Sequence, residues 1–149
     1  MKLKKVTGTY PSGKPIEEVE ETENNVGEFI SFLMSSRTIV HILHLNREGV
    51  GSYASHKALD DYYSGIVDLI DSIAECWQGY SGELIKGYKD FPISVYENSD
   101  PLSYLKLVKT YVQLHRYEIF PKEYSPIQNE IDNVENLLNK TLYKLQFLK

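Results

Sequence analysis

Residues 56–75 read HKALDDYYSGIVDLIDSIAE, and this stretch decides the fold class. At 100° per residue its large apolar side chains collect on one face of a helix, together with Trp77 just beyond it. The spacing predicts a helix from Ser52 to about Gly79, packed on one side of a core. The apolar positions within the stretch are Leu59, Tyr62, Ile66, Ile70 and Ile73.

Three further segments have helical spacing and recognisable ends. Helix A is predicted to start near Asn25, where the sequence allows an Asn-x-x-Glu capping box, and to stop near Gly49. Helix C starts at Asp100, an N-cap followed by proline. Helix D starts at SPIQ, residues 125–128, as a capping box containing proline.

These helices carry apolar stripes and no strand alternation, which predicts an all-α four-helix bundle over residues 25–149, preceded by an irregular segment, 1–24. The link between the second and third helices, residues 80–98, is long for a small domain and suggests a crossover. The stripes are Val26, Phe29, Phe32, Leu33, Val40 and Leu43 in helix A; Leu105, Val108, Tyr111, Val112 and His115 in helix C; and Ile127, Ile131, Val134, Leu138, Leu142, Leu145 and Leu148 in helix D.

Composition limits the function classes. The chain has 149 residues and a formal net charge of -5, which disfavours non-specific attraction to nucleic acid. Its single cysteine, Cys76, cannot form an intrachain disulfide, so we expect a reducing, cytoplasmic location. We expect no membrane span, because no wholly apolar run approaches about 20 residues, and no signal peptide in the first residues, MKLKKVTGTY.

A polar stripe beside the apolar face of the second helix carries candidate metal ligands. His56 and Asp60 are four residues apart and share a face, as do Asp71 and Glu75. Asp60 and Asp71 lie roughly 16 Å apart along a helix, so the two pairs cannot bind one ion within one chain. Any isolated pair of this kind is more often a solvated helix face than a site.

The two pairs are arranged symmetrically. His56 with Glu75, and Asp60 with Asp71, have the same sequence midpoint, between Gly65 and Ile66. Two copies of this helix packed antiparallel about a two-fold axis would bring each pair near the other chain's complementary pair. The spacing therefore predicts a two-fold homodimer with two equivalent sites.

His44, near the end of helix A, completes the predicted ligand set. A short turn between the first two helices would place it beside the start of the second. Two imidazoles and three carboxylates suit Fe(II), Mn(II) or Zn(II) better than calcium. The predicted metal residues are His44, His56, Asp60, Asp71 and Glu75. His41, one turn before His44, is expected to pack in the bundle or to support a metal ligand rather than to bind the metal.

The quoted residues resemble a known signature. HLNREG at 44–49, His56 followed by Asp60, and DSIAE at 71–75 are similar to the Dps-like miniferritins, whose pattern is His-Trp-Asn-x-x-Gly, a second His with an acid four residues on, and Asp-x-x-Ala-Glu. All intervals match. Leu45, Lys57 and Cys76 stand where that family usually has Trp, an acid and Arg.

The resemblance implies a ferritin-like bundle that oxidises Fe(II) between two subunits, with hydrogen peroxide or dioxygen, and stores ferric mineral in a dodecamer. It assigns His44, His56 and Asp60 to one chain, and Asp71 and Glu75 to its partner. We do not expect strong DNA binding, because the lysines near the N-terminus precede an acidic run. The alternative is a non-enzymatic structural or interaction protein on the same scaffold, with a vestigial metal site.

Overall fold

The computed structural model describes residues 26–148, and this part of the chain is a bundle of four long helices, as predicted. They are α1 (Val26–Leu45), α2 (Ser52–Ser81), α3 (Pro101–Ile119) and α4 (Ser125–Phe147), with a short 3-10 helix, Ile93–Tyr96, between α2 and α3. The described range contains no strand. The predicted irregular segment 1–24 and the capping box at Asn25 lie outside the described residues.

The helix ends follow the sequence signals in part. The Asp100 carboxylate accepts a hydrogen bond from the Ser103 backbone N–H at 2.9 Å, which confirms it as the N-cap of α3. Helix α1 ends at Leu45, earlier than predicted. The backbone turns into α2 through Gly49 and Gly51, both at positive φ, which favours glycine.

The predicted capping box of α4 is wrong. The residue before the helix is Tyr124, and its side chain makes no capping hydrogen bond. The Gln128 amide is engaged elsewhere: its Oε1 accepts from Arg116 Nε at 3.0 Å, and its Nε2 donates to the Pro121 carbonyl at 3.2 Å. Gln128 therefore bonds to Arg116 and Pro121 instead of capping the start of α4.

The predicted apolar stripes meet in one core, apart from a few positions at the helix ends. The prediction that His115 belongs to the apolar stripe of helix C is wrong. Its side chain is 37% exposed and its Nδ1 hydrogen-bonds Glu118 at 2.9 Å, so it lies at the margin of the core rather than inside it.

The buried charge on α3 is Arg116, whose guanidinium donates to Asp132 at 2.6 Å and Glu135 at 3.2 Å on α4. These carboxylates compensate the cost of burying the charge.

The four helices form a ring in the order α1, α2, α4, α3, with each helix packed on its two neighbours. The turns at 46–51 and 120–124 make α1–α2 and α3–α4 antiparallel pairs. Helices α2 and α3 lie diagonally opposite each other, so their outer faces point in opposite directions.

Residues 82–100 run along α1 from one end of the bundle to the other. Near the start of α1, the Lys89 backbone N–H donates to Ser31 Oγ at 3.0 Å. Further along, the Phe91 ring meets Phe32 edge-on at 5.6 Å between centroids. Beyond the end of α1, Asn46 Nδ2 donates to the Glu97 carbonyl at 3.2 Å. This path makes α3 parallel to α2 and antiparallel to α1.

Helix α1 is apolar enough, by length and composition, to pass as a membrane span, which differs from the expectation drawn from the sequence. It is the one such helix among the described residues. However, 61% of its apolar window is buried inside the bundle. Its position between α2 and α3 accounts for this composition, because a helix covered on several sides needs apolar residues on several sides.

We expect Gly27→Ala to destabilise the fold by about 1–3 kcal/mol, because overpacking against backbone cannot be relieved by a rotamer change. A Cβ at Gly27 would overlap the Lys86 carbonyl oxygen and lie 2.7 Å from the Gly87 carbonyl carbon. Urea denaturation followed by circular dichroism measures the change.

The matched control is Gly79→Ala in α2, where a Cβ meets nothing within 4 Å. Alanine is the better helix former, so this variant should be neutral or more stable by up to about 1 kcal/mol. Equal stability of the two variants would show that the connection does not press on α1 at Gly27.

Candidate metal site

His44 and His56 form a reciprocal pair that joins the end of α1 to the beginning of α2. His44 Nδ1 lies 2.8 Å from the His56 carbonyl oxygen, and His56 Nδ1 lies 3.2 Å from the His44 carbonyl oxygen. The rings are stacked, with centroids 3.6 Å apart and planes inclined by 25°. His44 is buried and His56 is half-buried.

This pairing fixes the tautomer of both rings. A carbonyl oxygen only accepts hydrogen bonds, so each Nδ1 must carry the hydrogen. In the neutral ring the lone pair is then on Nε2, the form that binds a metal, and a backbone carbonyl on the opposite nitrogen is the usual support for a metal-binding histidine. The donor chemistry of the pair fits a transition-metal ion.

His41 and Tyr63 extend this aromatic cluster. The His41 ring stacks on Tyr63 with centroids 4.2 Å apart, and Tyr63 meets His44 edge-on at 5.0 Å. His41 therefore packs beside the pair, as predicted. It helps to hold Tyr63 against α1, close to the next predicted ligand, Asp60.

Asp60 is held by its own helix. Its carboxylate accepts hydrogen bonds from Lys57 Nζ at 3.1 Å and from Ser64 Oγ at 3.5 Å, and the Tyr63 hydroxyl is close enough to lower the pKa of this carboxyl. The Tyr63 hydrogen bond is the largest cause, followed by Lys57, of an Asp60 pKa below its usual value. Hydrogen bonds to the carboxylate favour its charged form, so Asp60 stays ionised and available to a cation over a wider pH range.

Asp71 and Glu75 are exposed on the outer face of α2. Asp71 borders a depression between α1 and α2 that is also lined by Met34, Arg37 and Val67. The Arg37 Nε is buried and makes no hydrogen bond, although the guanidinium lies 5.9 Å from the Tyr63 ring centroid.

The structure brings together only some of the predicted ligands. His44 and His56 are in contact, but Asp60 is directed to Tyr63 and Lys57, and Asp71 and Glu75 lie further along α2. Among residues 26–148, no three His, Cys, Asp or Glu side chains of one protomer are grouped closely enough to hold one metal ion. One protomer therefore supplies a part of the predicted site, its two imidazoles.

Two neighbours of the site were not identified from the sequence. Tyr63 is not among the predicted ligands, yet its ring contacts His41 and His44 and its hydroxyl affects Asp60. Its position three residues after Asp60 on the same helix could have indicated the hydrogen bond. Arg37 gave no comparable signal, because its proximity to α2 depends on how α1 packs.

All the predicted ligands lie in a region of the chain that matches a protein family. The model of a family described as "Family of unknown function (DUF5856)" matches residues 44–145, which begin at His44 and include all five predicted ligands. An uncharacterized 14.6 kDa protein in the mobD-ri intergenic region of Enterobacteria phage T4 is 29% identical over 136 residues, covering 90% of this chain and 91% of the phage protein. No solved structure matches the chain.

We expect Tyr63→Phe to raise the pKa of Asp60, because the ionised carboxylate loses its main hydrogen-bond donor. The depressed pKa stabilises the folded state above the unfolded-state pKa, and this contribution is lost as pH falls through the folded-state value. In Tyr63→Phe this contribution should therefore be smaller, and its loss should be complete at a higher pH. Carboxyl-detected NMR titration measures the pKa directly.

Tyr143→Phe, an exposed tyrosine on α4, is the control and should leave the Asp60 titration unchanged. Lys57→Met should also raise the Asp60 pKa, because it removes both a hydrogen bond and a positive charge. An unaltered Asp60 pKa in Tyr63→Phe would mean that the hydroxyl does not donate to this carboxylate in solution.

Proposed function

The chain belongs to the family of unknown function DUF5856, and from its own residues we propose that it binds iron and oxidises Fe(II) at a site shared between two copies. The observation that carries this proposal is the reciprocal His44–His56 pair, which prepares two Nε2 atoms for a metal at the edge of the bundle. Imidazoles that are already held by hydrogen bonds lose little conformational entropy on binding.

The remaining ligands would come from a second copy. Asp71 and Glu75 are exposed, so they are accessible to another chain. An antiparallel contact between two α2 helices, centred between Gly65 and Ile66, brings them to the other chain's His56 and Asp60. The depression lined by Arg37 and Asp71 lies beside this surface and is open to the second copy.

Iron is the substrate in this proposal. Two Fe(II) ions each give one electron to one hydrogen peroxide molecule, which takes up two protons and leaves as two water molecules. The three carboxylates favour the product because they stabilise the higher charge of Fe(III). Following the resemblance, we propose that the cytoplasmic protein assembles into a larger homo-oligomer, a dodecamer in that family, which holds the ferric product. Mn or Zn would suit the same ligands.

One observation favours a second candidate, a bundle that has kept the scaffold without turnover. Lys57 stands where the Dps-like miniferritins, which the sequence resembles, commonly have an acid, and its Nζ lies 3.1 Å from the Asp60 carboxylate. A cation bound to Asp60 would have to displace this ammonium group. A protein of this second kind would retain the histidine pair as a structural clasp between α1 and α2.

We expect anaerobic Fe(II) titration to give two equivalent binding sites per dimer, and added peroxide to produce a ferric absorbance. His56→Ala and Asp71→Asn should each abolish the absorbance, because they remove ligands from opposite halves of the site. Size measurement by analytical ultracentrifugation should give a dimer or a multiple of it.

The controls are His115→Ala and Asp68→Asn, which remove an imidazole and a carboxylate outside the predicted set. Both should behave as the wild type. If wild-type protein neither binds Fe(II) nor gives the ferric signal, the scaffold function is correct and the ferroxidase function is not.

Subunit mixing tests whether the site is shared. We expect a refolded equal mixture of His56→Ala and Asp71→Asn chains to recover about one quarter of wild-type activity, because half of the dimers are hybrids and each hybrid has one intact site. Each variant alone should be inactive. An inactive mixture, with hybrid dimers demonstrated by mass spectrometry, would contradict a site built from two chains.

A further inference from the structure

The α3–α4 groove is an open channel with a volume of about 550 Å³ between the last two helices. Its walls carry two lysines from α3, Lys106 and Lys109, and two aromatic rings from α4, Tyr143 and Phe147. None of the aspartates and glutamates in residues 26–148 lines it. The volume falls within the range of about 300–1,000 Å³ that is typical of small-molecule sites.

The aromatic rings form one half of the groove. Tyr143 and Phe147 are four residues apart on one side of α4, with ring centroids 5.7 Å apart and planes inclined by 42°. They are 55% and 65% exposed, so each ring keeps a face open to a ligand. Exposed aromatic side chains are the surfaces on which nucleobases stack, since every base is planar and has a π-face.

The lysines form the other half of the groove. Lys106 and Lys109 are three residues apart on α3, so their side chains lie on the same side of the helix. Among the described residues, the lysine and arginine side chains that form ion pairs are Lys57, Arg116 and Lys144. The two ammonium groups at the groove therefore keep their charge available to an anion such as a phosphate group.

The two halves lie at the separation found within one nucleotide. Because α3 and α4 are antiparallel and Gln113 Nε2 donates to Glu135, the lysines are level with residues 139–142 of α4. The aromatic rings, at positions 143 and 147, lie further along the helix by roughly 7 Å at 1.5 Å per residue. A ligand with its base on the rings can therefore place its phosphates at the lysines.

The amides of the groove favour adenine as the base. Asn139 and Gln146 both line it, and Gln146 lies between the two aromatic positions in the sequence. A carboxamide side chain matches adenine, because it donates to N7 and accepts from the N6 amino group at the same time. The third amide, Gln113, is already hydrogen-bonded to Glu135.

The charge at the far end of the groove limits the ligand to a single nucleotide. Beyond Gln113, the carboxylates of Asp132 and Glu135 share one guanidinium, that of Arg116, which leaves a net negative charge. A second phosphodiester continuing in this direction would meet that charge. The formal net charge of the chain, -5, also disfavours a long polyanion.

We propose that the α3–α4 groove binds one free adenine nucleotide. The base stacks on Tyr143 or Phe147, and the phosphates are held by Lys106 and Lys109. ADP is the simplest ligand of this kind, because its two phosphate groups match two ammonium groups. The proposal does not depend on iron binding, since the predicted metal ligands are on α1 and α2.

Equilibrium dialysis of the wild-type protein against ADP tests the site. We expect one ADP per chain at saturation, with weaker binding of GDP, adenosine and inorganic pyrophosphate, because each of these lacks part of the match. A hexamer of deoxyadenylate should bind no more tightly than ADP. Absence of saturable ADP binding would overturn the proposal, tighter binding of the hexamer would overturn the free nucleotide, and equal binding of GDP would overturn the choice of adenine.

Replacing the rings tests stacking. The double variant Tyr143→Leu, Phe147→Leu should bind ADP and adenosine at least about fivefold more weakly, with pyrophosphate binding unchanged. The matched control is Tyr53→Leu, Tyr88→Leu, which removes two tyrosines that are 76% and 54% exposed elsewhere on the surface. Circular dichroism establishes that both proteins are folded. Unchanged ADP binding by the folded groove variant would overturn the proposal.

Replacing the lysines tests phosphate recognition. The double variant Lys106→Gln, Lys109→Gln should bind ADP at least about tenfold more weakly while adenosine binding stays unchanged. The control Lys86→Gln, Lys89→Gln removes the same charge from the connection after α2 and should bind ADP as the wild type does. Equal weakening by both pairs would show attraction by net charge alone and overturn the site.

The groove and the metal site can be tested separately in the same preparations. His56→Ala removes a predicted metal ligand on α2 and should bind ADP as the wild type does. The lysine variant of the groove should keep the Fe(II) binding of the wild type, whatever that is. Loss of ADP binding in His56→Ala would contradict a nucleotide site confined to α3 and α4.

Discussion

The structure depends on the burial of α1. Twelve of its twenty residues are buried, and it contacts α2, α3 and the short helix of the long connection. The connection lies so close to it that Gly27 has no room for a side chain. Because α1 is enclosed, residues 82–100 must travel its whole length, and this sets the direction of α3 and α4. The order of the helices around the bundle follows from covering one apolar helix.

The histidine pair is a local consequence of this arrangement. A short turn returns the chain from α1 to α2, so the last turn of one helix lies against the first turn of the other. There each Nδ1–H donates to the backbone carbonyl of the other histidine, which ties the two helix ends together. The same hydrogen bonds that close the hairpin also set the tautomer needed for metal binding, so stability and the proposed function use one interaction.

The outer faces of α2 and α3 differ in chemistry. The exposed residues of α2 include four carboxylates, whereas those of α3 include Leu107, Leu114 and Tyr117 among polar side chains. Neither face is explained by the packing of a single protomer. The common midpoint of His56 with Glu75 and of Asp60 with Asp71 is the reason for proposing that two copies share a site.

The sequence by itself determined the all-α class, the four helices, most of their boundaries and the apolar stripes, because helical periodicity and caps such as Asp100 are local properties of the chain. It also predicted that a short turn would bring His44 close to the start of α2, where it contacts His56. Only the tertiary structure decided that Gln128 turns to Arg116 instead of capping α4, that His115 lies at the margin of the core, and that Asp60 is held by Tyr63 and Lys57. Each of these choices depends on which side chains neighbouring turns and helices bring within hydrogen-bonding distance, and sequence spacing does not fix those distances.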